Sequence, residues 1–109
     1  MGADTQHIRE LNDALRTTLL GGRVLMTSGV QALGEQTVAA ALTQLRTFDQ
    51  FTADNDPHGE HDFGAFEVDD SKFFFKIDYY DQRMEGGSED PSDPALTLRV
   101  LTLMLASEY

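Results

Sequence analysis

Apolar residues recur along this chain at two different periods, and each change of period marks a new element. Ile8, Leu11, Leu15 and Leu19 are spaced three and four apart, so they share one face of a helix. That helix is predicted over Asp4–Leu20, capped by Asp4 or Thr5 and stopped by Gly21 and Gly22. Arg23–Ser28 is short, apolar and partly β-branched, which predicts a strand. Gly29–Gly34 reads as a turn with helical character. Glu35–Phe51 returns to helical spacing through Val38, Leu42, Leu45 and Phe48, and its Ala39–Ala41 run permits close packing against a sheet.

The second half alternates. Thr52–Asp62 is polar and broken by Pro57 and Gly59, which predicts a loop. Phe63–Val68 reads as a strand and Asp69-Asp70-Ser71 as a turn. Lys72–Tyr80 reads as a second strand. Within it Phe73, Phe75, Ile77 and Tyr79 alternate with Lys72, Lys76 and Asp78, the signature of a sheet with one buried face. Phe74 and Tyr80 share the charged face, where they line a groove or meet a covering helix. Asp81–Ser92 is a loop containing Gly86, Gly87 and Pro91. Ser92 or Asp93 then caps a third helix with Pro94 in its first turn. Leu96, Leu98, Val100, Leu101, Leu103, Met104 and Leu105 make that helix apolar all round, which predicts the central core helix.

The predicted order is α-β-α-β-β-α. It implies an α+β fold with three helices packed on a small, mostly antiparallel three-stranded sheet. Residues 1–109 read as one domain without repeats, linkers or low-complexity tracts.

Composition narrows the chemistry. The chain has no cysteine, so disulfides, thiolate metal sites and cysteine nucleophiles are excluded. No apolar run reaches the roughly 20 residues of a membrane helix, and Met1–Glu10 carries no signal-peptide core. A soluble cytoplasmic protein is the expectation. The net charge of −11 is not spread evenly. From Asp49 to Asp93 there are 14 acids against Lys72, Lys76 and Arg83, whereas five acids and five bases elsewhere cancel. One segment thus carries the whole net charge. It repels nucleic acid and anionic membranes and attracts basic partners or cations. A solvated acidic surface kept for solubility is the plainer alternative.

Several blocks taken together resemble a known family. They are IREL and DAL in the first helix, the paired glycines and following Val24, Thr27, Gly29 and Val30, FTADNDPHGEHDFG at 51–64, FKIDYYD at 75–81, and the RVLT, MLA and EY stretches after Asp93-Pro94. The chain is similar, over almost its whole length, to the bacterial family catalogued as domain of unknown function 3768. The resemblance implies a compact stand-alone domain. It also implies a setting on plasmids and other mobile elements, where inhibitors of host defence, antitoxins and accessory regulators are common. It brings no activity with it.

Three constellations carry candidate chemistry. Asp54, Asp56, His58, Glu60, His61 and Asp62 crowd one loop. Imidazole and carboxylate suit a divalent transition metal such as zinc or manganese, with His58, His61 and Asp62 as ligands and Asp78 or Asp81 available as a further one. The plainer reading is that the same residues hold the loop, since Asp and Asn side chains bond turn amides. His58, His61 and Lys76 could perform metal-free phosphodiester cleavage, although the surrounding charge repels such a substrate. In the KIDYYD block, Tyr79 shares core parity with Phe73, Phe75 and Ile77, which leaves Asp78 and Tyr80 as surface contacts. No Walker loop, nucleophile elbow or basic aromatic patch is present.

The leading expectation is a small acidic binding protein that inhibits a nucleic-acid-binding, defence-type protein. Its surface of Asp54, Asp56, Glu60, Asp62, Asp69, Asp70, Asp78, Tyr80 and Asp81 would imitate DNA phosphates. The partner is a basic or nucleic-acid-binding protein, with no direct nucleic acid, membrane or cofactor. The alternatives are a metal-dependent hydrolase built on His58 and His61, and a structural or regulatory subunit that self-associates.

Overall fold

A computed structural model describes residues 3–109. Helix α1 (Ala3–Thr18), strand β1 (Arg23–Met26), the single-turn helix α2 (Ser28–Gln31) and helix α3 (Glu35–Thr47) form the first half. Strands β2 (Phe63–Val68), β3 (Ser71–Tyr80) and β4 (Leu98–Leu105) follow, and then a 3-10 turn over Ala106–Glu108. The strands make one sheet in the order β1-β4-β3-β2. β1 runs parallel to β4, and the other two pairings are antiparallel.

The α+β class holds, but the expected small, mostly antiparallel three-stranded sheet with three helices packed on it, in the order α-β-α-β-β-α, does not. The sheet has four strands and is mixed. The predicted third helix does not form, and Leu98–Leu105 is β4, an interior strand. The misreading has a physical cause. A strand paired on both sides and buried on both faces carries apolar residues on both parities, and so loses the period that separates it from a buried helix. In β4 Leu101 and Leu103 face the helices, and Val100 and Met104 are buried on the reverse side. Asp93 and Pro94 belong to a turn, in which the Asp93 carboxylate accepts the Ala95 N–H at 2.9 Å.

Parity divides the sheet into two faces. Phe73, Phe75, Ile77, Leu101 and Leu103 meet Leu15 of α1, Val30 of α2, and Ala41 and Leu45 of α3 in the main core. The other face carries Phe63, Phe74, Lys72, Lys76, Asp78 and Tyr80, as read from the register of β2 and β3. No helix covers it. Tyr109 packs there instead, with its ring 5.8 Å from Phe63 and 5.4 Å from Phe74.

β2 and β3 are joined by a two-residue turn, and Asp69 takes the positive φ of 53° that such a tight hairpin needs. At Gly64, opposite Phe75, the Phe75 and Phe48 rings lie over the backbone. A Cβ built there would come within 2.3 Å of Phe75 and 2.8 Å of Phe48. Both rings are in the core, so neither can swing aside. Gly64→Ala should therefore cost about 1–3 kcal/mol through overpacking. Gly86→Ala, whose new methyl meets nothing nearer than 3.8 Å, should leave the melting temperature unchanged. Thermal unfolding of both variants tests the contrast.

Candidate functional site

The acidic loop between α3 and β2 is organised from within. The Asp56 carboxylate accepts the N–H groups of Glu60 and His61, each at 3.1 Å, and is buried. The Asn55 side chain accepts the Thr52 N–H and donates to the Gln50 carbonyl. Gly59 and His61 both take positive φ, 68° and 56°. These bonds fold the loop back towards α1.

Helix α1 receives it along one polar stripe. Arg9, Asn12, Asp13 and Arg16 are spaced three, one and three apart and so lie together. Arg9 donates to the Gly59 carbonyl at 3.1 Å, and Asn12 donates to the Glu60 carbonyl at 3.0 Å. His61 Nδ1 lies 2.8 Å from the Asp13 carboxylate, its Nε2 lies 3.7 Å from Asp56, and its ring stacks on Phe51 at 3.8 Å. Arg16 is buried beside Asp13, 3.3 Å away, with its guanidinium 5.2 Å from the Phe51 ring centre.

Asn12 leads into the interior. Its amide also donates to the Tyr79 hydroxyl at 2.8 Å, and its oxygen accepts Arg99 Nε at 2.9 Å. Tyr79 donates to the Glu60 carboxylate at 2.7 Å. Arg99 reaches the Pro91 carbonyl in the second acidic loop and lies over the Tyr79 ring at 5.3 Å. A single buried network thus connects residues 52–62, α1, β3, β4 and residues 81–97. Burial pushes the Tyr79 phenol well above its usual range, and its bond to Glu60 adds to this. Burial also lowers Arg16 and Arg99 somewhat from the ordinary arginine value.

The residues singled out by sequence fall into different roles. Asp54, Asp69 and Asp70 are exposed. Asp56 and Glu60 are committed to the loop and its network. Asp81 accepts the N–H groups of Arg83 and Glu85 at 3.0 Å and closes its own turn. Asp78 bonds Lys76 at 2.8 Å on the uncovered face, where Tyr80 also lies, half-buried. Tyr79 is on the core side, as its parity predicts. Asp62 is half-buried, and its carboxyl is pushed up by desolvation, with Glu60 and Asp56 as like charges nearby.

His58 and His61 do not act as a pair. His58 is exposed, whereas His61 turns inward between Asp13 and Asp56. Among the described residues no group of three His, Asp or Glu side chains is arranged to hold a metal ion. Lys76 projects from the sheet face opposite to that met by His61, so the three groups of the cleavage reading do not converge. Sequence reading missed Asn12 and Arg99. Arg99 carried a signal, because a lone cation inside an apolar strand has to find buried partners.

The acidic groups cluster at the two ends of the sheet. Residues 52–62 and 81–93 meet at one end through Asn12 and Arg99. Asp69 and Asp70 stand at the other, beyond the ten residues of β3, about 30 Å away at a strand's rise. A cleft of about 350 Å³ opens among Asp81, Gln82, Arg83, Gly87, Glu89 and Leu96.

The family described as protein of unknown function (DUF3768) matches residues 26–108. No curated protein and no solved structure matches the chain. Among the described residues no helix is long and apolar enough to cross a membrane.

Two pH effects follow from the site. Asp62 binds its proton more readily folded than unfolded, so its ionised form is penalised above its folded pKa. Asp62→Asn should raise the melting temperature at pH 7, and by less as pH falls into the carboxylate range. Tyr79 is raised in the folded state. Its contribution is complete below the ordinary tyrosine pKa of about 10 and is lost as pH climbs past it. Tyr79→Phe should cost on the order of 1 kcal/mol at pH 7 and should flatten the alkaline decline. Denaturant melts across pH read both.

Proposed function

We propose, taking as premise that the chain belongs to the DUF3768 family, that it is an acidic binding protein which docks a basic, nucleic-acid-binding partner and so inhibits it. The observation that carries this reading is the state of its carboxylates. Asp54, Glu67, Asp69, Asp70, Glu85 and Glu89 are all exposed, in a segment that holds the whole net charge and only three bases. One of those bases, Lys76, is already paired with Asp78.

Rigidity supports the same reading. The two acidic loops are pinned by bonds from Arg9, Asn12 and Arg99 to their main-chain carbonyls rather than left as free tethers. A loop backbone already held in place loses little freedom on binding, which favours affinity. Negative groups in series are also what a phosphate-reading groove accepts, DNA offering about one charge per 1.7 Å of duplex axis. The mobile-element setting implied by the resemblance points to a defence protein as the target. A cytoplasmic location suits such a partner. Direct nucleic-acid binding is disfavoured by repulsion from the same charge.

The test is displacement of a labelled DNA duplex from basic DNA-binding proteins, restriction endonucleases first, at graded salt. The association constant should fall steeply as salt rises. Replacing Asp54, Asp69 and Asp70 with Asn and Glu67 with Gln should flatten that dependence and weaken binding at least about tenfold, or 1.4 kcal/mol. Association indifferent to salt would sink phosphate imitation.

A further inference from the structure

The sheet order leaves β2 at an edge, bonded to β3 on one side and to no strand of the described residues on the other. The register shows which of its main-chain groups face outward. The Ile77 N–H bonds the Asp62 carbonyl at 2.8 Å, so Asp62 and Ile77 form a hydrogen-bonded pair. Such pairs alternate with non-bonded pairs along an antiparallel ladder. Gly64, Phe66 and Val68 therefore bond inward to Phe75, Phe73 and Ser71. Phe63, Ala65 and Glu67 turn their N–H and C=O groups away from β3. Three donors and three acceptors thus line the edge over about 13 Å.

Sheet edges are commonly blunted by lysine, proline or a bulge. β2 contains neither residue, and its pairing with β3 runs unbroken from Phe63 to Val68. Its only charges are negative. Asp62, Glu67, Asp69 and Asp70 lie between positions 62 and 70 with no base among them. This disfavours a second copy as the occupant, because two β2 edges brought together would bring two like-charged acidic segments side by side. The opposite edge, β1, is only four residues long and begins with Arg23.

We propose that β2 is a docking edge for a basic extended segment of a partner protein. The segment joins the sheet as a fifth strand, bonding the main chain of Phe63, Ala65 and Glu67. Its lysines or arginines face Asp62, Glu67, Asp69 and Asp70, and its alternate residues lie beside Phe63 on one face and Phe66 on the other. This gives the acidic-surface reading a defined contact and rests on that reading.

The probe is a synthetic peptide of alternating lysine and valine, about eight residues long to span the strand, followed by fluorescence anisotropy at low and moderate salt. Ala65→Pro deletes the central outward N–H without removing a charge or a bond to β3. Proline is accepted on an edge strand where the N–H faces solvent, and a thermal melt checks the fold. The parent peptide should bind the wild type, lose affinity with salt, and protect the Phe63, Ala65 and Glu67 amides from exchange. Ala65→Pro should weaken it at least about tenfold. A peptide N-methylated at alternate residues should lose as much against the wild type, an arm that stands even if Ala65→Pro fails to fold. Equal affinity of the N-methylated and parent peptides overturns the docking edge and leaves the acidic surface intact. Failure of the parent peptide to bind, or binding indifferent to salt, overturns both.

Discussion

A guanidinium taken out of water must be given partners, and the way Arg99 finds them fixes where the acidic loops lie. It is 3% exposed on an interior strand. Its bonds run to Asn12 of α1 and to Pro91 of the second loop, and its plane lies over Tyr79. Asn12 in turn spends both amide hydrogens on the Glu60 carbonyl and the Tyr79 hydroxyl. Two segments about 30 residues apart in sequence are thereby held at one end of the sheet. Without this network each would be a charged loop repelling the other.

The same economy explains how a chain with so skewed a charge stays folded. Self-repulsion is reduced where a carboxylate takes a structural bond: Asp56 with two amides, Glu60 with Tyr79, Asp81 with its own turn and Asp78 with Lys76. What remains unbonded is a smaller set at the loop tips and the hairpin. Asp62 is the exception. It lies half-buried near like charges, and its carboxyl is raised by desolvation rather than relieved by a partner.

The legible parts of the fold were those with one buried face. In the β2–β3 hairpin, Phe73, Phe75 and Ile77 alternate with charged residues, and the parity placed Tyr79 on the core side correctly. α1 was equally plain from Ile8, Leu11 and Leu15. β4 was misread because Val100, Leu101, Leu103 and Met104 are apolar on both parities, which erases the period that tells strand from helix. The parallel pairing of β1 with β4 joins Arg23 to Val100 across most of the chain, and no local pattern announces it. In the loop at 51–64 the residues that mattered were visible, but their roles were not. His58 and His61 look alike in sequence and separate only when the backbone turns His61 against Phe51 and Asp13.

Recognition of a basic partner is proposed for residues 52–70 and 81–93, held in place before the partner arrives. The most direct measurement is backbone amide NMR of labelled protein titrated with a short arginine-rich peptide. Preorganised recognition requires shifts concentrated in those two stretches, while the outer faces of α1 and α3 and strand β1 stay unchanged. Shifts spread evenly over the molecule, or confined to the helices, would contradict it.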